Sequence, residues 1–162
     1  MKVFFKSFVY AFKGLGYCLV NERNMRVHFC CLGYMLFFLL RYDFFTVSKT
    51  QWSILVLAAA LVIVAEYINT AVERAVDTAA KGEKSESAKI AKDTAAGAVL
   101  IAAFFAVAVG ILILYQPSAF KAMFDYYVAN PLNFAFVLSS IILIFGFVIA
   151  GPKKIIEIFR RK

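Results

Sequence analysis

At 162 residues, with 63% hydrophobic side chains and a mean hydropathy of +0.79, the chain is more apolar than a water-soluble domain can be. Its 18 Phe and 8 Tyr suit a headgroup boundary, and 18 Lys and Arg against 10 Asp and Glu leave a net charge of +8. In a bilayer that basic excess speaks for topology and anionic lipid, and against nucleic acid as a partner.

The fold class expected is an all-α membrane protein, with an N-terminal amphipathic surface helix followed by four transmembrane helices. Residues 2–20 set Phe4, Phe5, Phe8, Val9, Phe12 and Leu15 at three- and four-residue steps among Lys2, Lys6, Ser7 and Lys13. Lysine interrupts this helix too often for it to span, so it is expected in the membrane surface. The charges scattered through residues 1–6, with no small-residue cleavage site following, do not resemble a cleavable signal. The stretch Asn21-Glu22-Arg23-Asn24 is expected to end the helix.

A first span is predicted from Val27 to Leu40, extending toward Phe45, and its clean apolar run is short against the 20 or so residues a span needs. Cys18, Cys30 and Cys31 have no metal-site spacing and are expected to act as small apolar fillers. The second span starts at Trp52, an interface anchor, and the helical pattern runs past Glu66 to Asp77, about 39 Å of helix. Residues 78–92 are expected to form a polar loop, with Gly82-Glu83-Lys84-Ser85-Glu86-Ser87 at its centre and Ala88 to Asp93 as the entry to a third helix; Ala95 to Tyr115 is the uninterrupted apolar span. Pro117 and Ser118 break that helix, and residues up to Asn130 form an interfacial connector. The last span runs from Pro131 to Ala150, where Gly151-Pro152 is predicted to stop it before the basic tail. Counting Lys and Arg in the flanks of the four spans gives 14 on one side and 3 on the other, so both termini and the loop between spans two and three are expected in the cytoplasm.

Chemistry is expected on the second span. At about 100° per residue, Asn69, Thr70, Glu73 and Asp77 all fall within about 60° of Glu66. Ionisable groups at membrane depth are costly, and three like charges within three turns call for a cation, water or another helix. Hydrogen bonding between helices is the plainer role for the same residues. By helical rise Glu66 lies about 10 Å deeper than Glu73 and about 16 Å deeper than Asp77. The deep carboxylate suits a general base acting on a hydroxyl at the membrane boundary, and the outer ones suit Mg²⁺ and a water-borne phosphate donor. Lys89 and Lys92, just before Asp93 near a helix N-terminus, are cations in the right region for phosphate. No nucleotide-binding glycine loop or protein-kinase catalytic loop is present.

The run Glu66-Tyr67-Ile68-Asn69-Thr70-Ala71-Val72-Glu73-Arg74-Ala75-Val76-Asp77, with Ala88-Lys89-Ile90-Ala91-Lys92-Asp93-Thr94-Ala95-Ala96-Gly97, resembles the prokaryotic diacylglycerol kinase family. Lys6-Ser7-Phe8, Ala11-Phe12-Lys13-Gly14 and Glu22-Arg23-Asn24 through His28 resemble its undecaprenol kinase branch. The resemblance covers residues 5 to about 115. It implies a lipid kinase core at residues 1–116, with residues 117–162 adding a connector, an extra span and a basic cytoplasmic tail.

It also implies a homotrimer in a bacterial inner membrane with active sites shared between neighbouring chains. Glu66 matches the catalytic base, and Glu22 and Glu73 match carboxylates that bind the magnesium of MgATP. Asn69, Asp77, Lys92 and Asp93 match further active-site and nucleotide positions, Tyr10 and Lys13 match surface-helix positions near the nucleotide, and His28 matches a position in the lipid-facing cleft. Where the family often has a histidine after the second span, this chain has Glu83-Lys84-Ser85-Glu86-Ser87.

The activity implied is transfer of the γ-phosphoryl group of ATP to a lipid alcohol, undecaprenol in the first instance and diacylglycerol as the alternative. Buried carboxylates also mark ion-coupled transporters, and a structural membrane subunit could use the same stripe to pair with a basic partner helix.

Overall fold

The computed structural model describes residues 2–83 and 85–160; Met1, Lys84 of the polar loop, and Arg161 and Lys162 of the basic tail lie outside the described residues. Among the described residues all regular structure is helical: α1 (Lys2–Asn21), α2 (Arg23–Arg41), α3 (Lys49–Ala80), α4 (Glu86–Leu114), α5 (Pro117–Ala129) and α6 (Pro131–Arg160).

The aromatic face of α1, including Phe4, Phe5, Phe8 and Phe12, is left open, as a helix lying in the membrane surface requires. The break after α1 is a single residue: Glu22 is extended (φ −98°, ψ 121°), and Arg23 already starts α2. Asn24 therefore belongs to the first turn of α2 and does not terminate α1.

Among the described residues, three helices are long and apolar enough to cross a membrane: α3, α4 and α6 as far as Glu157. The segment expected as the first of four spans, α2, carries Arg23, Arg26 and His28 in its opening turns. It falls short of that length of apolar chain.

The N-terminus of α3 is fixed by a reciprocal cap. Ser48 Oγ accepts from the Gln51 amide at 3.3 Å, and Gln51 Oε1 accepts from the Ser48 amide at 2.8 Å. The helix then runs through Asp77 to Ala80 and ends on Lys81 and Gly82, both at positive φ (46° and 89°). The Ser85 hydroxyl starts α4 by accepting from the Ala88 amide at 3.1 Å. The connector after Pro117 is itself a helix, because proline at the first position of α5 loses no hydrogen bond.

α4 lies along α3 in the most extensive pairing of the fold. α2 packs on another part of α3, and the added α6 packs on α2 and α1. α2 and α4 thus flank α3 with a groove of about 350 Å³ between them, lined by apolar residues such as Leu32, Met35, Val62 and Ala106. At the end of the bundle away from Glu66, the Gln116 amide pairs with the backbone of Thr46 in both directions (3.1 and 3.0 Å). There Tyr42 stacks on Phe44 and meets Tyr126 and Tyr127 edge-on.

Gly151-Pro152 ends the span as expected, and a second helical stretch follows the break. The backbone leaves helical geometry at Gly151 (φ 70°, ψ 161°), and the helix resumes to Arg160. Proline has no N–H to offer the carbonyl four residues earlier, that of Val148. Arg26 supplies the missing donors: its Nε and Nη2 donate to Val148 O at 3.2 and 3.1 Å. Gly151 is needed for its positive φ and for space, since a Cβ there would sit 3.3 Å from the Arg26 guanidinium. Gly151→Ala is therefore expected to lower stability by about 1–2 kcal/mol, read as a lower midpoint of thermal unfolding in detergent.

Candidate active site

On α3 the polar residues are among the most buried. Glu66 is 2% exposed and Asn69 7%, whereas the apolar Leu57, Leu61, Val64 and Ile68 face outward. A helix sorted in this way presents its apolar side to lipid or neighbouring helices and encloses its acid. Two of the enclosed atoms, Glu66 Oε2 and Asn69 Oδ1, have no hydrogen-bond partner. Leaving such atoms unpaired costs about 1–3 kcal/mol each, so they mark a place where a donor from outside the chain is wanted. The other end of the Asn69 amide is engaged, with Nδ2 donating to Glu73 Oε1 at 3.2 Å.

Glu66 and Asn69 both line a cavity of about 250 Å³, together with Asn24, His28 and Val99 among others. It adjoins the apolar groove between α2 and α4, with Val27, His28 and Ala103 lining both. A molecule with a hydroxyl at one end and a long apolar tail fits that combination, with its hydroxyl at Glu66.

Beyond the last polar turn of α3 lies a second, wider cavity of about 540 Å³, in the angle between α3 and α4. Asp77, Glu83, Lys89, Lys92 and Asp93 line it. Lys92 Nζ donates to Asp77 Oδ1 at 3.0 Å, and both side chains remain partly open to solvent. The residues expected around a phosphate donor, Asp77, Lys89, Lys92 and Asp93, thus come together around one cleft. Its position at the polar end of α3 and α4 is open to a water-soluble ligand.

Glu22 comes to this region on the α1–α2 junction. Its Oε1 lies 3.5 Å from Arg74 Nη2, and the Arg74 guanidinium stacks on the Tyr17 ring at 5.3 Å. Tyr67 ties the same end of α1 to α3 by donating from its hydroxyl to Leu15 O at 3.3 Å. Tyr10 and Lys13 lie earlier on α1; both are exposed, with Lys13 Nζ 6.0 Å from the Tyr10 ring, and neither lines either cavity.

Glu22, on the α1–α2 junction, and Glu73, which accepts from the Asn69 amide, offer hard oxygen donors of the kind a divalent cation prefers. Among the described residues, no three His, Cys, Asp or Glu side chains are close enough to hold a metal by themselves. A pair of carboxylates completed by water and phosphate oxygens is the arrangement Mg²⁺ usually adopts, and the residues present fit that.

Three residues here escaped the reading of the sequence. Asn24 lines the Glu66 cavity, Arg74 holds Glu22, and Arg26 clamps α6. Arg74 sits inside the acidic stripe, where a lone cation among carboxylates was a visible signal. Arg26 was counted only as a topology charge.

A family model described as "Prokaryotic diacylglycerol kinase" matches residues 9–114. A Synechocystis protein named "Diacylglycerol kinase" is 41% identical over 111 residues, covering 68% of this chain and 62% of that protein. A Bacillus subtilis protein named "Undecaprenol kinase" is 36% identical over 112 residues, covering 68% of this chain and 86% of that one. No solved structure matches the chain.

The solvent-accessible Asp77–Lys92 pair is expected to matter for ligands more than for folding. Asp77→Asn, Lys92→Met and the double variant should each shift the unfolding free energy by less than about 1 kcal/mol in a double-mutant cycle followed by thermal unfolding.

Proposed function

The chain belongs to the prokaryotic diacylglycerol kinase family, and on that premise we propose that it is an ATP-dependent lipid kinase of the cell membrane. The observation that carries the proposal is the buried, unpartnered oxygen of Glu66, on a residue lining a small cavity that adjoins an apolar groove, with a separate polar cleft further along α3. The groove accepts the lipid tail, and the cleft around Asp77, Lys89, Lys92 and Asp93 accepts the phosphates of ATP.

In the proposed reaction Glu66 takes the proton of the lipid hydroxyl. The alcohol oxygen attacks the γ-phosphorus, the bond from that phosphorus to the β,γ-bridging oxygen breaks, and ADP leaves. Asn69 orients the acceptor through its buried amide, one end of which is held by Glu73. Lys92 offsets phosphate charge once its contact with Asp77 is exchanged for the ligand. Glu22 and Glu73 would hold Mg²⁺, which would neutralise charge on the phosphate oxygens. Positioning and electrostatics carry most of such a transfer, since phosphoryl transfer needs little covalent help from the protein.

The finer reading is undecaprenol as acceptor, by the resemblance at Glu22 through His28, with diacylglycerol as the alternative; the two relatives carry one name each. Residues 1–116 form the kinase core in this reading. α2 is counted as a fourth span that is shielded by its neighbours, so that both termini are cytoplasmic, and three chains assemble with shared sites. The exposed apolar side of α4, with Leu100, Phe104 and Leu112, is available to neighbouring chains or lipid.

Purified protein given labelled ATP, Mg²⁺ and each lipid in parallel is expected to phosphorylate undecaprenol faster than diacylglycerol, and the reverse order would transfer the proposal to the latter. Glu66→Gln should reduce the rate at least about 100-fold without lowering thermal stability. Retention of the wild-type rate would remove Glu66 as the base.

A further inference from the structure

The helix added beyond the family-matched region is tied to the one short segment that carries Glu22. When α1 stops, the carbonyls of its last turn lose their helical partners. Cys18 O is taken by the Glu22 amide at 2.8 Å. Arg26, only 5% exposed, donates from Nη1 to Val20 O at 3.1 Å and to Leu19 O at 3.4 Å. The other edge of the same guanidinium donates to Val148 O, the α6 carbonyl that Pro152 leaves without a donor.

One residue past the proline, on the redirected final segment, Lys153 Nζ donates to Asn21 Oδ1 at 2.6 Å. The Asn21 amide in turn donates to Tyr17 O at 2.7 Å, and the Tyr17 ring supports Arg74 against Glu22. Residues on both sides of Glu22, Asn21 and Arg26, are therefore held from α6. The kink is what brings both contacts to the junction, because an unbroken helix would leave Val148 paired within itself and would send Lys153 in another direction.

We infer that α6 is a positioning element for the Glu22 carboxylate, acting through Arg26 and Lys153 on the α1–α2 junction. This rests on the reading of Glu22 as a ligand of the nucleotide-bound divalent ion. The extra helix then has a task at the active site without touching substrate: it sets how closely Glu22 can approach the ion. α6 has a second polar contact with α2, Tyr34 Oη with Ser140 Oγ at 2.8 Å. Ser140 lies eight residues before Val148, about two turns from the junction contact, so this bond reports docking of the helix apart from Glu22.

The test uses the full-length protein in detergent with Mn²⁺ and a non-hydrolysable ATP analogue, with bound Mn²⁺ read by electron paramagnetic resonance. Amide hydrogen exchange over residues 18–24 is followed in parallel. Lys153→Met is expected to weaken Mn²⁺ binding about fivefold, the effect of one lost hydrogen bond, and to speed exchange at the junction. Tyr34→Phe should leave Mn²⁺ binding unchanged. Wild-type Mn²⁺ binding and exchange in Lys153→Met would overturn the inference, as would an equal loss in Tyr34→Phe, which would mean general loosening. Glu22→Gln is the separate arm. If it binds Mn²⁺ as tightly as the wild type, the assignment of Glu22 as a metal ligand fails, and the positioning role fails with it; weakened binding there with an unaffected Lys153→Met rejects only the role of α6.

Discussion

A carboxylate on a membrane helix is tolerated only where donors, water or a cation can reach it, and that cost governs how the helices gather around Glu66. α3 carries the acid, so its polar side must be covered and its apolar side can face outward. α2 and α4 provide the cover from either flank, contributing Asn24 and His28 from one and Val99 from the other. Because both flanking helices pack on α3 instead of on each other, the cover is not closed, and the apolar groove runs up to the acid from the membrane side. The same geometry that encloses the charge also leaves an approach for a lipid.

Much of this was legible in the sequence. The helical period put Glu66, Asn69, Glu73 and Asp77 on one face, and the structure buries the first two of them together. The polar stretch between residues 78 and 92 marked the turn that brings Lys92 back beside Asp77, and the pair meets at 3.0 Å. Periodicity is a local property, and it succeeds where a contact follows from helix geometry and a short loop. The reciprocal cap at Ser48 and Gln51 and the proline at the start of α5 were local signals too, sufficient to place both helix starts, and the reading passed over them.

Glu22 and Arg26 had no such signal. Their significance depends on which helix end meets which, across separations of 52 residues for Glu22 with Arg74, and 122 for Arg26 with Val148. For Glu22 only the family resemblance pointed to a role. Gly151-Pro152 was read as a stop because proline ends hydrogen bonding locally, and locally that is correct. A second helical stretch follows the break, and the carbonyl left over finds its donor elsewhere in the chain. Nothing in the ten residues around the proline could name that donor.

The charged groups of the chain divide by how firmly they are held, and the division separates scaffold from working parts. Arg26 is buried, gives its donors to three carbonyls on two elements, and has no carboxylate partner among the described residues. Removing it would strand those carbonyls, so it is fixed in one arrangement. Arg74 and Lys92 are the opposite case. Each meets one carboxylate, Glu22 at 3.5 Å and Asp77 at 3.0 Å, with solvent reaching both partners. Exposed pairs of that kind are worth about 0–1 kcal/mol, so a polyphosphate with its metal ion can displace them at little cost. In the proposed cycle these two cations hold the carboxylates in place between turnovers and release them to the ligand. A tightly buried pair in either position would oppose binding by the amount it stabilised the empty site.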